Sequence, residues 1–160
     1  MQDVDAQRRR SMMHFGGPGV IDLPRRALRT PSRLEGTVAI NDVTGQVVDA
    51  ALKVHSTLGP GLLESAYRAC LAYELRKRDF KVLTEVELPV VYDDIRIDLG
   101  YRVDLIVEDA VVVELKAVSK LAPVHEAQLL SYLKLGGYWA GLLINFHSAR
   151  LKDGIKRMVN

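Results

Sequence analysis

Three residues that could do chemistry together lie in residues 100–118, an otherwise apolar stretch that reads GYRVDLIVEDAVVVELKAV. They are Asp104, Glu114 and Lys116, in the arrangement D-x9-E-x-K. Buried ionisable groups are costly unless they are paired or bind a metal ion. Two carboxylates with water as the remaining ligands suit Mg²⁺ or Mn²⁺. Such an ion with a lysine beside it can polarise a phosphoryl oxygen and activate water, which is chemistry for hydrolysing a phosphodiester.

The same three residues also have an ordinary structural interpretation. On a solvated sheet face, a carboxylate of this stretch would form an ion pair with Lys116 or Arg102. A motif of three common residue types also occurs by chance. The spacing alone leaves both interpretations open.

The stretch predicts a β-hairpin, because two valine-rich runs flank the acidic pair at positions 108 and 109. Glu114 and Lys116 are two residues apart, so they point to the same face of their strand. A two-residue turn would put Asp104 on the opposite face. A three-residue connection would pair Val107 with Val111 and set Asp104 directly across from Glu114. The metal-site hypothesis therefore requires the three-residue connection.

Two helices are predicted before the hairpin. Apolar residues recur at helical spacing from residue 41 to Leu58, and the GPG at 59–61 ends that helix. A second helix follows at once and closes with the RKR at 76–78. Its predicted apolar stripe is Leu62, Leu63, Ala66, Tyr67, Cys70, Leu71 and Leu75.

The strands come next, at residues 81–92, at 95–99 and in the hairpin. Pro89 predicts that the first strand is an edge strand or is interrupted there. A third helix runs from Pro123 to Gly136, and the nearly all-apolar residues 139–146 predict a central strand. Residues 154–159 would add an edge strand. The order α-α-β-β-β-α-β predicts an α/β sandwich with a mixed sheet and one parallel pair.

Composition predicts one folded domain and a different N-terminal segment. The chain has 160 residues, 48% of them hydrophobic, and a net charge of +2. Residues 1–36 carry seven arginines and four acidic residues, a net of +3, which leaves −1 for the rest. We interpret residues 1–36 as a disordered or loosely attached basic arm that either touches nucleic acid or is only a tail. Residues 37–160 are expected to form a single domain without a basic surface by composition.

Targeting and cysteine signals are weak. No apolar run approaches the roughly 18 residues of a membrane span, and no apolar segment follows the N-terminal arginines as in a secretory signal. Cys70 is the only cysteine, which excludes an internal disulfide and a four-cysteine iron–sulfur cluster. We therefore expect a cytoplasmic protein with no membrane partner.

Further motifs accompany the hairpin. Residues 61–67 read GLLESAY, 113–118 read VELKAV, 125–133 read HEAQLLSYL and 141–146 read GLLINF. In this order, and with Asp104, they resemble the PD-(D/E)XK nuclease superfamily, and the first motif resembles that of its GxxExxY family. The resemblance covers about residues 40–160; Val103 replaces the proline of the superfamily's "PD". It implies a restriction-endonuclease-like fold, with a mixed sheet flanked by helices.

The resemblance also implies roles for the hairpin residues. By position, Asp104 and Glu114 correspond to the acids that bind Mg²⁺ or Mn²⁺, and Lys116 corresponds to the catalytic lysine. Glu64 corresponds to a helix glutamate that completes the metal site, often through water. We expect its helix to pack over the same sheet face as the hairpin acids. The structural alternative is a surface glutamate favoured by the helix dipole.

Four further residues are assigned supporting roles. Gln128 and Tyr132 share one face of the third helix, and the resemblance implies that such a pair lies beside the active site. The alternative is a polar pair that bonds to the sheet. His125 would assist at the phosphate or cap the helix. Tyr67 lies near Glu64 on its helix, and apart from the resemblance it is expected in the core.

The function implied by the resemblance is a Mg²⁺- or Mn²⁺-dependent nuclease that hydrolyses phosphodiester bonds in DNA or RNA. A competing hypothesis is a catalytically inactive nuclease-fold module that binds nucleic acid or protein. A homodimer is a further hypothesis, because an exposed sheet edge can pair with a second copy.

Overall fold

The computed structural model of the chain describes residues 39–160, and the expected arm at 1–36 lies outside the described residues. The helices are α1 (Ile40–Leu58), α2 (Glu64–Arg76) and α3 (Pro123–Gly136), and a 3₁₀ turn covers Leu151–Gly154. The strands are β1 (Val82–Tyr92), β2 (Ile95–Val107), β3 (Val111–Lys116), β4 (Ala140–Asn145) and β5 (Ile155–Val159). The predicted order of elements is confirmed, including the final edge strand.

The five strands form one mixed sheet in the order β1-β2-β3-β4-β5. Only β3 and β4 are parallel, and α3 connects them, as the sequence predicts. The apolar residues of α1 and α2 pack on one face of the sheet, with Leu105, Val113 and Leu115. Those of α3 pack on the other face, with Ile106 and Val112. Because both faces are covered, β3 and β4 are buried along most of their length.

The junction between α1 and α2 differs in detail from the prediction. α1 ends at Gly59, whose φ of 68° is in the left-handed region that glycine adopts without strain. α2 begins only at Glu64, so Leu62 and Leu63 precede the helix and are 41% and 77% exposed. Their assignment to the apolar stripe of α2 is therefore wrong. None of the described helices is both long and apolar enough to cross a membrane.

The predicted short strand at residues 95–99 is also wrong as a separate element. It is the first part of β2, which pairs with β1 over most of its length. Gly100 lies inside this strand. Only glycine fits there, because a Cβ would approach the carbonyl oxygen of Leu88 to 1.8 Å. The register shifts beside it, between Leu88 and Val90. The prediction from Pro89 is confirmed, since β1 is an edge strand and is irregular at the proline.

The turn between β2 and β3 has the three-residue connection. Val107 pairs with Val111, and the Ala110 N–H donates to the Val107 carbonyl at 3.0 Å. Glu108 and Asp109 have φ values of 55° and 50°, a backbone conformation that is uncommon for residues other than glycine. The condition for placing Asp104 across from Glu114 is met.

Candidate active site

Asp104 and Glu114 lie one position beyond the last paired residues of β2 and β3, which are Leu105 and Val113. The two acidic residues are only 7% and 2% exposed. The interpretation as a solvated sheet face is therefore wrong. Two carboxylates on adjacent strands are instead held in a region of low water access, where their charges repel and each needs a partner.

Both oxygens of Asp104 have hydrogen-bond donors. Oδ2 accepts a bond from the backbone N–H of Leu115 at 2.8 Å, and Oδ1 accepts one from the Arg68 guanidinium at 2.9 Å. The same guanidinium donates to Oε1 of Glu85 at 3.0 Å. Of the two ion pairs expected for a hairpin acid, the one with Lys116 forms, at Glu114, whereas Arg102 contacts Glu85 at 3.5 Å.

Glu114 is only half satisfied. Its Oε1 accepts a bond from Nζ of Lys116 at 2.5 Å, whereas Oε2 is buried and has no hydrogen-bond partner among the described residues. Burial, followed by the nearby charge of Asp104, raises the pKa of Glu114 to about 7 although Lys116 opposes the shift. Native proteins rarely leave a buried polar atom without a partner, so the orphan oxygen needs an explanation.

Glu64 reaches this group from the first position of α2. Partial burial, and then the charge of Asp104, raises the pKa of Glu64, while Lys116 and Arg68 lower it. These mutual effects show that Glu64 is an electrostatic neighbour of the hairpin acids. The expected packing of its helix over both acids holds only for Asp104, which Arg68 of α2 contacts at 2.9 Å. α2 packs with Val113 and Leu115, whereas Glu114 alternates with these residues and points to the opposite face.

The acids do not form a closed metal cage. Within residues 39–160, no three His, Cys, Asp or Glu side chains are grouped closely enough to hold a metal ion as they stand. Arg68 and Lys116 each hold one carboxylate, and carboxylates without a cation between them repel. The donor set nevertheless fits a hard divalent cation, because it offers a buried free carboxylate oxygen on Glu114 beside two other acids.

Comparison with known proteins identifies the family. Residues 41–158 match the family model of the PD-(D/E)XK nuclease superfamily. The chain belongs to this superfamily. The match supports the restriction-endonuclease-like fold and a nuclease-type function, and nucleases of this superfamily generally use divalent metals. Searches of curated proteins and of solved structures found no match.

In this PD-(D/E)XK domain, Gln128 and Tyr132 of α3 bond to each other. The side-chain amide of Gln128 donates to the Tyr132 hydroxyl, whose own longer bond runs to the carbonyl of Arg102 at 3.5 Å. Burial and the charge of Glu114 raise the pKa of Tyr132 to about 12. The pair therefore bonds to the sheet, as the structural alternative predicts, while its place beside an active site stays a prediction.

His125 and Tyr67 have structural contacts. Nδ1 of His125 accepts a bond from the Ala122 N–H at 3.1 Å and so caps α3. Tyr67 is fully buried, as expected for a core residue. Its hydroxyl donates to the Gly59 carbonyl at 2.6 Å and accepts a bond from the Leu62 N–H at 3.0 Å. It therefore fixes the connection that leads into the PD-(D/E)XK helix carrying Glu64.

Two residues of the PD-(D/E)XK site are absent from the sequence prediction. Arg68 lies four positions after Glu64, a spacing that places both on one helix face and could have indicated it. Asn145 is 2% exposed, and its amide exchanges two hydrogen bonds with the backbone of Val118, at 3.1 and 2.8 Å. It thereby anchors the chain just after Lys116. A polar residue at the end of the apolar run GLLIN was the available signal.

Proposed function

We propose that this protein is a divalent-metal-dependent nuclease that hydrolyses phosphodiester bonds in DNA or RNA. The observation that carries the proposal is the buried Oε2 of Glu114, which lacks a partner beside the negatively charged Asp104. A bound cation would supply that partner and relieve the repulsion between the two acids. The motif GLLESAY supports assignment to the GxxExxY family.

Asp104, Glu114 and Glu64 are the residues that would hold the ion, the last directly or through water. When bound there, Mg²⁺ or Mn²⁺ would supply Lewis-acid polarisation of the scissile phosphoryl group. Lys116 contacts Glu114 and is nearly buried, so its ammonium is available at one fixed position. In that position it orients the attacking water and offsets the negative charge that develops on the phosphate.

The neighbouring residues have supporting roles in this proposal. Tyr132 keeps its proton at neutral pH, because its pKa is about 12, so its hydroxyl can serve as a hydrogen-bond donor. Gln128 donates a hydrogen bond to that hydroxyl and contributes to orienting the substrate. His125 supports the site by capping α3, and Tyr67 supports it by fixing the entry into α2.

A cleavage assay with matched variants tests the proposal. Labelled single- and double-stranded DNA and RNA are incubated with the purified chain in Mg²⁺, in Mn²⁺ or in EDTA. We expect metal-dependent cleavage that Asp104→Ala and Lys116→Ala abolish. Asp98→Asn is the matched control, because it removes a carboxylate whose side chain is 83% exposed. Equal activity in all variants would indicate a contaminating nuclease.

The second candidate function is a nuclease-fold module that binds nucleic acid or protein without cleaving it. The absence of a closed metal cage within the described residues favours it, as does the net charge of −1 outside residues 1–36. Thermal unfolding separates the two candidates, because an ion that binds only the folded protein raises its melting temperature. No rise with Mg²⁺ or Mn²⁺, in wild type or in Asp104→Asn, would favour the module.

A homodimer and a cytoplasmic location stay predictions. β1 and β5 are the two edges of the sheet, and an unpaired edge can accept a strand from a second copy. Sedimentation velocity over a range of protein concentrations tests the dimer directly.

A further inference from the structure

Arg68 links the proposed metal site to a neighbouring cavity. Its guanidinium bridges Oδ1 of Asp104 and Oε1 of Glu85, and its side chain is only 18% exposed. Asp104 has no other cationic partner among the described ion pairs. Arg68 therefore holds the carboxylate that a metal ion would need.

A divalent cation and this guanidinium are competitors for Asp104. Both are positive, and two like charges a few ångströms apart in a partly buried site repel strongly. An ion bound to Asp104 therefore weakens the bond between Arg68 and the Asp104 carboxylate. The bond to Glu85 is outside the proposed metal site and keeps the guanidinium nearby.

The space beside Arg68 has the chemistry of a phosphate-binding site. A polar cavity of about 260 Å³ is lined in part by Ser65, Arg68, Arg76, Thr84 and Glu85. Guanidinium groups and hydroxyls are the usual ligands of nucleic-acid phosphates. While Arg68 is paired with both Asp104 and Glu85, its charge is neutralised. Once an ion occupies Asp104, one side of the guanidinium fork becomes available to an anion.

We propose that Arg68 couples metal binding to nucleic-acid binding. It pairs with Asp104 in the metal-free protein and binds a backbone phosphate of the substrate after the ion is bound. The inference rests on the proposed function and adds a residue that makes the two ligands bind cooperatively. Such coupling is reciprocal, so nucleic acid strengthens metal binding by the same factor.

Two binding measurements on Arg68→Gln test this coupling. Calorimetric titration with Mn²⁺, without nucleic acid, should give an affinity at least about fivefold tighter than wild type, because a competing cation is gone. Fluorescence anisotropy with labelled DNA and RNA oligonucleotides is then measured in a Lys116→Ala background, which prevents cleavage. In the Lys116→Ala background, adding Mn²⁺ should raise the affinity for the oligonucleotides. Introducing Arg68→Gln should make this gain at least about fivefold smaller.

Control variants separate the coupling from charge and folding effects. Arg150→Gln removes the same charge from a side chain that is 80% exposed and should leave both affinities unchanged. Glu85→Gln keeps Arg68 but removes its second anion, so Mn²⁺ should bind more weakly, the opposite of Arg68→Gln. This second variant keeps the test valid if Arg68→Gln fails to fold.

The outcomes distinguish the inference from the function on which it rests. If wild type binds no Mn²⁺, the metal-dependent function fails and the coupling fails with it. If wild type binds Mn²⁺ but Arg68→Gln binds it equally or more weakly, only the coupling is overturned. An unchanged Mn²⁺-dependent gain for oligonucleotides in Arg68→Gln would overturn the coupling as well.

Discussion

The carboxylate of Asp104 accepts a hydrogen bond from the backbone N–H of Leu115 at 2.8 Å, across the end of the β2–β3 ladder. The ladder pairs end at Leu105 and Val113, so a side-chain oxygen takes the place of a strand carbonyl at the next step. The position of Asp104 is therefore set by the backbone of the strand that carries Glu114 and Lys116. Two of the three candidate metal ligands, Asp104 and Glu114, are therefore tied to the same pair of strands.

Replacing Asp104 tests this backbone bond. Asp104→Ala and Asp104→Asn both remove the charge, but only the amide of asparagine can still accept the Leu115 N–H. We expect the alanine variant to be about 1–2 kcal/mol less stable than the asparagine variant, because it leaves a buried N–H without a partner. Urea unfolding in EDTA measures the difference. Equal stability would mean that the bond contributes nothing.

Lys116 is predicted to act in chemistry rather than in metal binding. Removing its ammonium in Lys116→Ala should lower the cleavage rate by about 100-fold or more, the usual scale for a group that acts on the reacting water. The Mg²⁺-dependent rise in melting temperature should persist, because the three acids remain. Lys152→Ala, at an exposed position, is the matched control. Loss of the Mg²⁺ effect in Lys116→Ala would show that the lysine mainly positions Glu114.

Glu114 predicts a specific dependence of stability on pH in the metal-free protein. Its pKa is about 7 when folded and has an ordinary value of 4.5. The folded state therefore retains the proton more strongly, and the stabilising contribution present below pH 4.5 is lost as the pH rises to about 7. The shift corresponds to about 3 kcal/mol. Urea unfolding of wild type and Glu114→Gln in EDTA should show the decline in wild type only; parallel pH profiles would contradict it.

The sequence predicted the elements well because each had a local signal. These signals involve only residues that are close together in the sequence. They are the apolar period of α1, the glycines after α1 and α3, and the apolar run of β4. Val107 pairs with Val111, which confirms the register that the metal-site hypothesis requires. Sequence alone left that register open, because positive φ at Glu108 is not expected from a glutamate.

The parts that failed depend on tertiary contacts. Leu62 and Leu63 fit a helical stripe, but the Tyr67 hydroxyl holds the chain in a non-helical connection before Glu64. The face on which α2 packs could not be read from its own pattern, since either sheet face is apolar. The pairing of Arg68 with Asp104 joins residues 36 positions apart, and the α2 spacing indicates only that Arg68 faces the same way as Glu64.

Tyr67→Phe tests whether the connection before α2 positions the site. The substitution keeps the ring, which stacks on Phe146 at 4.4 Å, and removes only the hydroxyl that bonds Gly59 and Leu62. We expect a loss of about 1–2 kcal/mol in urea unfolding, because the Gly59 carbonyl and the Leu62 N–H both lose their partner.

The same variant should also bind Mn²⁺ more weakly in a calorimetric titration, since the freed connection no longer fixes the first turn of α2 and hence Glu64. Tyr73→Phe is the matched control, because Tyr73 is in the same helix but is 67% exposed. If Tyr67→Phe lost stability while Mn²⁺ affinity stayed at the wild-type value, Glu64 would not depend on this connection. Glu64 would then either bind the ion independently of Tyr67 or take no part in the metal site. Mn²⁺ titration of Glu64→Gln decides between these, because only the first alternative predicts a weaker affinity.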